Sequence, residues 1–244
     1  MKAVILAAGI ASRLRPLTDD TPKCLLKVGE KSILELTIDN IIASDIDDVI
    51  IVTGYLEEKI KNFVSKKYRG LNVTYIYNEV YGTTNNIYSL WLTKESLLGD
   101  EMLLMDSDII FDKEIITKLL ASKYESCLAL KRHDVQDEEI KVKVDENGRV
   151  LEIGKEVKLE DAIGESIGIE KFGAQTLKQL FTIIERKIVI EKNVNQFYEA
   201  AFEELADKGA NIYTVDTTDY ICVEIDTAAD LESARLMLLN QHQK

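Results

Sequence analysis

Apolar and polar positions along the chain fall into two rhythms, and the change from one to the other divides the sequence. In the first half, short apolar runs at Ala3–Leu6, Val49–Val52, Val73–Tyr77 and Met102–Met105 have the length and β-branched content of buried strands. Between them, Ile33–Ala43, Leu56–Tyr68 and Asn86–Leu98 repeat apolar residues every three or four positions, which predicts amphipathic helices. Strand and helix alternating at this spacing predict βαβ units, and from them a doubly wound, mostly parallel, Rossmann-like α/β sheet. Such a sheet binds ligands at the carboxyl ends of its strands. The second half reads differently. Ile140–Val144 alternates with period two, Asp145-Glu146-Asn147-Gly148 is a turn, and Val150–Ile153 completes a hairpin. Ile163–Phe172 predicts another strand, Ala174–Arg186 and Gln196–Lys208 predict helices, and Gly209 is placed to stop the second. Ile212–Val215 and Ile221–Ile225 return to strand before a terminal helix over Ala228–Leu239. With no repeat or linker, the expected organisation is one domain over 1–244, a core sheet carrying a hairpin and helical insertion over its mouth.

Composition narrows this picture. The 244 residues are 46% hydrophobic and 30% charged, the balance of a soluble globular protein with a substantial core. No apolar run approaches the length of a bilayer span and the N-terminus lacks a signal-peptide pattern, so the expectation is a cytoplasmic protein with no membrane partner. A net charge of −13 argues against nucleic acid as a partner, because a phosphate backbone demands a basic face. A homodimer is compatible with all of this. Cys24, Cys127 and Cys222 are scattered among apolar neighbours and read as reduced core residues. The only histidines, His133 and His242, give poor support to histidine-based metal or acid–base chemistry.

Candidate chemistry begins where the first strand ends. Leu6-Ala7-Ala8-Gly9 leads through Ala11, Ser12, Arg13 and Arg15 to Lys23, and the chain's only prolines, Pro16 and Pro22, lie in the same stretch. Two prolines stiffen the loop, small residues let backbone N–H groups approach a ligand, and fixed cations neutralise phosphate charge. Arg15 and Lys27 take no assigned role. Acids close two later strands: Asp106-Ser107-Asp108, and Glu224-Ile225-Asp226 more than a hundred residues on. Each by itself also reads as a turn or a helix cap. Together with the cationic loop they point to a divalent metal held between two strand ends. No G-x-G-x-x-G follows any strand, which excludes a dinucleotide-binding oxidoreductase.

The string L-A-A-G-x-x-S-R-L-R-P-L-T-x-x-x-P-K resembles the signature loop of nucleotidyltransferases of the sugar-phosphate and phosphocholine type. That resemblance implies a GT-A-like fold, a Mg²⁺ ion, and a nucleotide lying along Leu6, Ala7, Ala8, Gly9, Ala11 and Ser12. It implies Arg13 near the β- and γ-phosphates, Lys23 nearer the α-phosphate, and metal-binding acids at Asp108 and Asp226, with Asp106 the alternative first ligand and a nucleotide contact. Ala11 departs from the pattern, since many members carry glycine there. N-N-I-Y-S-L, residues 85–90, is similar to a segment of phosphocholine cytidylyltransferases and of enzymes acting on aminoethylphosphonate or inositol phosphate. This implies CTP as donor, with Asn78, Asn85, Asn86 and Ser89 at the nucleotide, although Asn85 or Asn86 also reads as a plain helix cap.

For the acceptor, Lys155 is expected to clamp a phosphate, and Glu165, Tyr198 and Glu199 to face a cationic head group, with Phe197 in the core. Residues 1–131 would then serve mainly the nucleotide, 132–215 the acceptor, and 216–244 close the domain. The function expected is transfer of CMP to a small phosphorylated alcohol or phosphonate. The alternatives are an inositol- or sugar-1-phosphate nucleotidylyltransferase using dTTP, UTP or GTP, and a regulatory nucleotide-binding subunit. A mere binder has no need of Lys23 together with both strand-end acids.

Overall fold

The computed structural model describes residues 1–241, and His242 lies outside them. The chain opens with β1 (Lys2–Ala7), a small hairpin of β2 (Lys27–Val28) and β3 (Lys31–Ser32), and α1 (Ile33–Ile42). Then come β4 (Asp48–Thr53), α2 (Glu57–Lys67), β5 (Asn72–Tyr77), α3 (Asn86–Leu92), β6 (Met102–Asp106), β7 (Ile109–Phe111), α4 (Glu114–Ala121) and β8 (Cys127–Lys131). The remainder is β9 (Lys141–Val144), β10 (Val150–Gly154), β11 (Gly164–Phe172), α5 (Ala174–Glu185), α6 (Glu199–Asp207), β12 (Tyr213–Asp216), β13 (Cys222–Glu224) and α7 (Ala228–Gln241).

β1 lies between β4 and β6, parallel to both, and β5 extends the row beyond β4. The centre of the sheet is therefore parallel, as the alternating pattern predicts, because helical crossovers return the chain to the same end each time. β11 then runs antiparallel between β6 and β8, and continues past β6 to pair with β9. That one long strand joins the central strands to the β9–β10 hairpin, and β12 adds alongside β8. β13 pairs with β7 instead of joining the large sheet.

Alternation along β1 sorts its side chains between two cores. Val4 and Leu6 pack with α3, α5 and α6 on one face, whereas Ala3 and Ile5 pack with α1, α2 and α4 on the other. A third cluster gathers Leu14, Ile33, Ile110, Ile225 and Leu231, and so pins the loop after β1 to α7 and to the segment after β13. Burying apolar side chains on both faces is what holds the carboxyl ends of β1 and β6 in register at the mouth.

Some boundaries differ from the sequence pattern for local reasons. The helix expected to reach Leu98 ends at Leu92, where the Thr93 hydroxyl donates to the Leu90 carbonyl at 2.7 Å, and a 3₁₀ turn follows over Lys94–Leu97. α5 widens into a π turn over Arg186–Ile190. α4 and β8 were not expected at all: eight and five residues are too short for periodicity to separate helix from strand. No helix among the described residues is long and apolar enough to cross a membrane.

Candidate active site

A cavity of about 990 Å³ opens at the carboxyl ends of β1 and β6. One end is floored by the loop after β1. There Ala11 adopts a left-handed conformation, φ 53° and ψ 50°, which costs an L residue roughly 1–2 kcal/mol. The Thr18 hydroxyl fastens the loop by donating to the Ala11 carbonyl at 3.0 Å, and buried Leu14 anchors it below.

Lys23 leaves a 3₁₀ turn behind Pro22 and reaches between two acids. Its Nζ donates to Asp108 Oδ2 at 2.8 Å and to Asp226 Oδ1 at 2.9 Å. Arg13 holds the other Asp226 oxygen at 2.8 Å. Burial pulls the Lys23 pKa down, but Asp108 and Asp226 outweigh it and hold the value above that of an ordinary lysine. For Asp226, burial pushes upward and the two cations prevail, keeping its carboxyl below the usual range. The ammonium and the carboxylate are thus both charged at neutral pH. Cys24, the next residue, turns into the core, where burial pushes its thiol up to about 12.

Glu224 joins the two aspartates. One oxygen from each of Asp108, Glu224 and Asp226 lies within 4.8 Å of the others. Burial, together with Asp108 and Asp226, raises the Glu224 pKa to about 7. Three carboxylates converging without a sulfur or imidazole make a hard-oxygen set suited to a magnesium-like ion. Glu224 took no role in the sequence pattern, yet the two-residue spacing to Asp226 was the available sign, since residues two apart on a strand share a face.

Asp106 goes elsewhere. It accepts from the Tyr198 hydroxyl at 3.0 Å and closes a buried acidic group with Glu170 and Glu199. Burial first, and then Asp108 and Glu199, raise its pKa well above the carboxylate range. A Cβ at position 168 would stand 2.8 Å from the Asp106 carboxyl, so Gly168, at φ +71°, is what admits the aspartate against β11. Glu170 and Glu199 each keep one buried oxygen with no protein partner. Burial lifts Glu199 to about 7.

Asn78, Asn85, Asn86 and Ser89 all line the cavity, but much of their hydrogen-bonding capacity is spent on the fold. Asn78 donates to Thr84 Oγ1 at 3.2 Å and Ser89 Oγ at 3.1 Å, and Asn85 Oδ1 caps α3 through the Asn86 N–H at 2.8 Å. Asn86 Oδ1 accepts the Tyr198 N–H, also at 2.8 Å, which ties α3 to the start of α6. The capping reading therefore holds for Asn85.

Toward the other end, Lys155 donates to Glu138 at 2.8 Å and lies over the Phe197 ring, 5.6 Å from its centre. Glu165 faces His133, 3.2 Å from Nε2, and Glu139 completes a small cluster with them. The expected roles of Phe197 and Tyr198 are exchanged. Tyr198 is wholly buried against Phe202 and reaches the site through Asp106 and Asn86, whereas Phe197 is exposed and lines the cavity. Ser12 is the other expected residue absent from the lining; Leu6, Ala7, Ala8, Gly9, Ala11, Arg13, Lys23, Asp106, Asp108, Lys155, Glu165, Glu199 and Asp226 all belong to it.

The lining holds eight carboxylates and four cations. Such a cavity repels a polyanion unless a divalent ion takes up part of the acid, which fits the convergence of Asp108, Glu224 and Asp226.

Comparison with known proteins agrees with this geometry. Residues 2–154 match the family model described as nucleotidyl transferase. The CTP:phosphoglutamine cytidylyltransferase of Campylobacter jejuni is 29% identical over 95% of this chain and 98% of its own. The choline-phosphate cytidylyltransferase of Streptococcus pneumoniae is 29% identical over 99% of this chain and 100% of its own. The solved structure of CTP:phosphocholine cytidylyltransferase from Streptococcus pneumoniae superposes with a TM-score of 0.78 at 26% identity, covering 97% of this chain and 98% of that one. The cationic loop and the acids it faces are thus set in a fold shared along nearly the whole chain, and the protein belongs to the nucleotidyl transferase family and is a nucleotidyltransferase.

Proposed function

We propose that the chain is a Mg²⁺-dependent cytidylyltransferase that transfers CMP from CTP to a small phosphorylated acceptor with a cationic head group, phosphocholine or an aminoalkyl phosphonate. The observation that carries this reading is Lys23 held between Asp108 and Asp226 with Arg13 beside it, at the end of a cavity roomy enough for two ligands. The choice of CTP rests on the N-N-I-Y-S-L segment, of which Asn85, Asn86 and Ser89 line that cavity, and on relatives that are cytidylyltransferases. Residues 1–131 serve mainly the nucleotide, 132–215 the acceptor, and 216–244 close the site. The cytoplasm, where a triphosphate donor is at hand, is the location this reading requires.

An acceptor phosphate oxygen forms a bond to the α-phosphorus as the bond to the β-phosphate's bridging oxygen breaks. Pyrophosphate leaves with the electron pair. The nucleophile is already ionised, so the protein needs no general base; it aligns two anions and offsets the charge that accumulates between them. Asp108, Glu224 and Asp226 would hold Mg²⁺, which supplies charge neutralisation at the phosphates. Arg13 and Lys23, seated on acids in this structure, are the cations within reach of a triphosphate. Glu199 and Glu165 give the far end the negative character that a cationic head group favours.

Pyrophosphate release over a grid of CTP, UTP, dTTP and GTP against phosphocholine, 2-aminoethylphosphonate, inositol 1-phosphate and glucose 1-phosphate tests the reading. CTP with one of the two cationic acceptors is expected to be fastest. Preference for glucose 1-phosphate with dTTP or UTP would overturn both the base and the head-group assignments.

A further inference from the structure

Four cations line the cavity, and three are already engaged. Arg13 and Lys23 sit on Asp226 and Asp108, and Lys155 is paired with Glu138 at 2.8 Å, a residue of the open rim. The fourth is Lys131, the last residue of β8, and among the described residues it has no ion-pair partner. Its Nζ lies 3.4 Å from the Cys222 carbonyl on β13, two residues before Glu224 of the acid triad. On its other side it is the register partner of Glu165 on β11. The ammonium therefore stands between the triad and the acceptor end of the cavity. Its backbone is held there by a close approach: a Cβ at Gly164, φ +154°, would lie 2.3 Å from the Lys131 carbonyl oxygen.

We propose that Lys131, rather than Lys155, binds the nucleophilic phosphate or phosphonate of the acceptor and holds it against the nucleotide's α-phosphate. The assignment rests on the nucleotidyl-transfer reading above and adds the residue that steers the second substrate. An attacking phosphate has to lie beside the triad, and Lys131 is the one cavity cation that can take it without giving up a carboxylate. Lys155 stays paired with Glu138 over the Phe197 ring at the rim, so it bears on which acceptor is accepted rather than on the phosphorus group.

Steady-state kinetics with CTP and each of phosphocholine, 2-aminoethylphosphonate and inositol 1-phosphate separate the two lysines. Because every acceptor shares the phosphorus group, Lys131→Ala is expected to raise the KM of each accepted substrate by about 10–100-fold, the weight of one charge-assisted contact. The KM for CTP should stay within about twofold, and Lys131→Arg should recover part of the loss. Lys155→Ala should instead change the ranking among acceptors. An acceptor KM unmoved in Lys131→Ala, or a CTP KM that rises equally, overturns the assignment. A wild-type enzyme that turns over none of these acceptors counts against the transfer reading instead. Calorimetric titration with inorganic phosphate then decides the point: about tenfold weaker binding in Lys131→Ala supports it, and equal binding refutes it.

Discussion

At the loop end of the cavity, Leu6 through Lys23 are neighbours in sequence, and Arg13 and Lys23 are already seated on Asp108 and Asp226. At the far end each wall comes from a different element: Lys131 from β8, Glu165 from β11, Lys155 from the end of β10, Glu199 from α6. At the loop end the cations are paired; the far end keeps buried acids whose oxygens lack partners. On the proposed reading the contrast matches what each end has to do. A triphosphate presents the same geometry every time, so its binding groups can be fixed in one loop. Acceptor selection would then depend on separate elements that can be altered one at a time.

Breaking the loop end should have the largest consequences. Asp108→Asn and Asp226→Asn each remove a charge from the triad without changing side-chain size. Turnover is expected to fall by ~10²–10³-fold, the scale seen when a preorganised electrostatic contact is lost, while thermal unfolding stays close to that of the parent. A variant with near-normal rate at saturating Mg²⁺ would show that its aspartate serves only as a turn or cap. Lys23→Ala should come next. It is expected to lower kcat more than it raises the KM for CTP, because charge at the α-phosphate builds chiefly on the way to the transition state. A change confined to KM would make Lys23 a ground-state anchor.

The far end answers to pH. Glu199 titrates near 7 in the folded protein, above its ordinary value, because burial disfavours its charged form. A carboxylate with a raised folded pKa binds its proton more tightly in the native state, so stability is greatest at low pH and declines as pH rises through about 7. Asp106 and Glu170 shift in the same direction. Glu199→Gln should therefore flatten the fall in Tm between pH 5 and 8, with a gain on the order of 2 kcal/mol at the alkaline end. An unchanged pH profile would mean that Glu199 is no better shielded from water than an ordinary glutamate. The smallest effect belongs to Ala11→Gly. Relief of the left-handed conformation, offset by the greater entropy of an unfolded glycine, is expected to stabilise the protein by no more than about 1 kcal/mol in denaturant unfolding.

The same contrast explains what could be read from the sequence. The parallel sheet, the cationic loop after β1 and the acids Asp108 and Asp226 that it faces were legible because apolar runs and short motifs are local signals. Lys131 was not, since it closes a five-residue strand whose four apolar residues no periodicity distinguishes. Glu170 lies in a strand of mixed apolar and charged residues, where pairing with β6 and β8 decides its burial. Phe197 and Tyr198 were exchanged for a similar reason. Adjacent residues at a helix start point in different directions, and the Asn86 contact that fixes them comes from 112 positions away. Such information is carried by tertiary packing.

The central claim is that the two ends act together, joining a nucleotide to a phosphorylated acceptor through a metal-dependent step. Phosphorus NMR of the enzyme with CTP, phosphocholine and 2-aminoethylphosphonate in one tube, with Mg²⁺ and again with excess chelator, tests it most directly. The account predicts equal growth of free pyrophosphate and of a new diphosphate or phosphonyl-phosphate signal, both abolished by chelator. Release of pyrophosphate with only CMP as partner, or a joined product that forms undiminished in chelator, would contradict it.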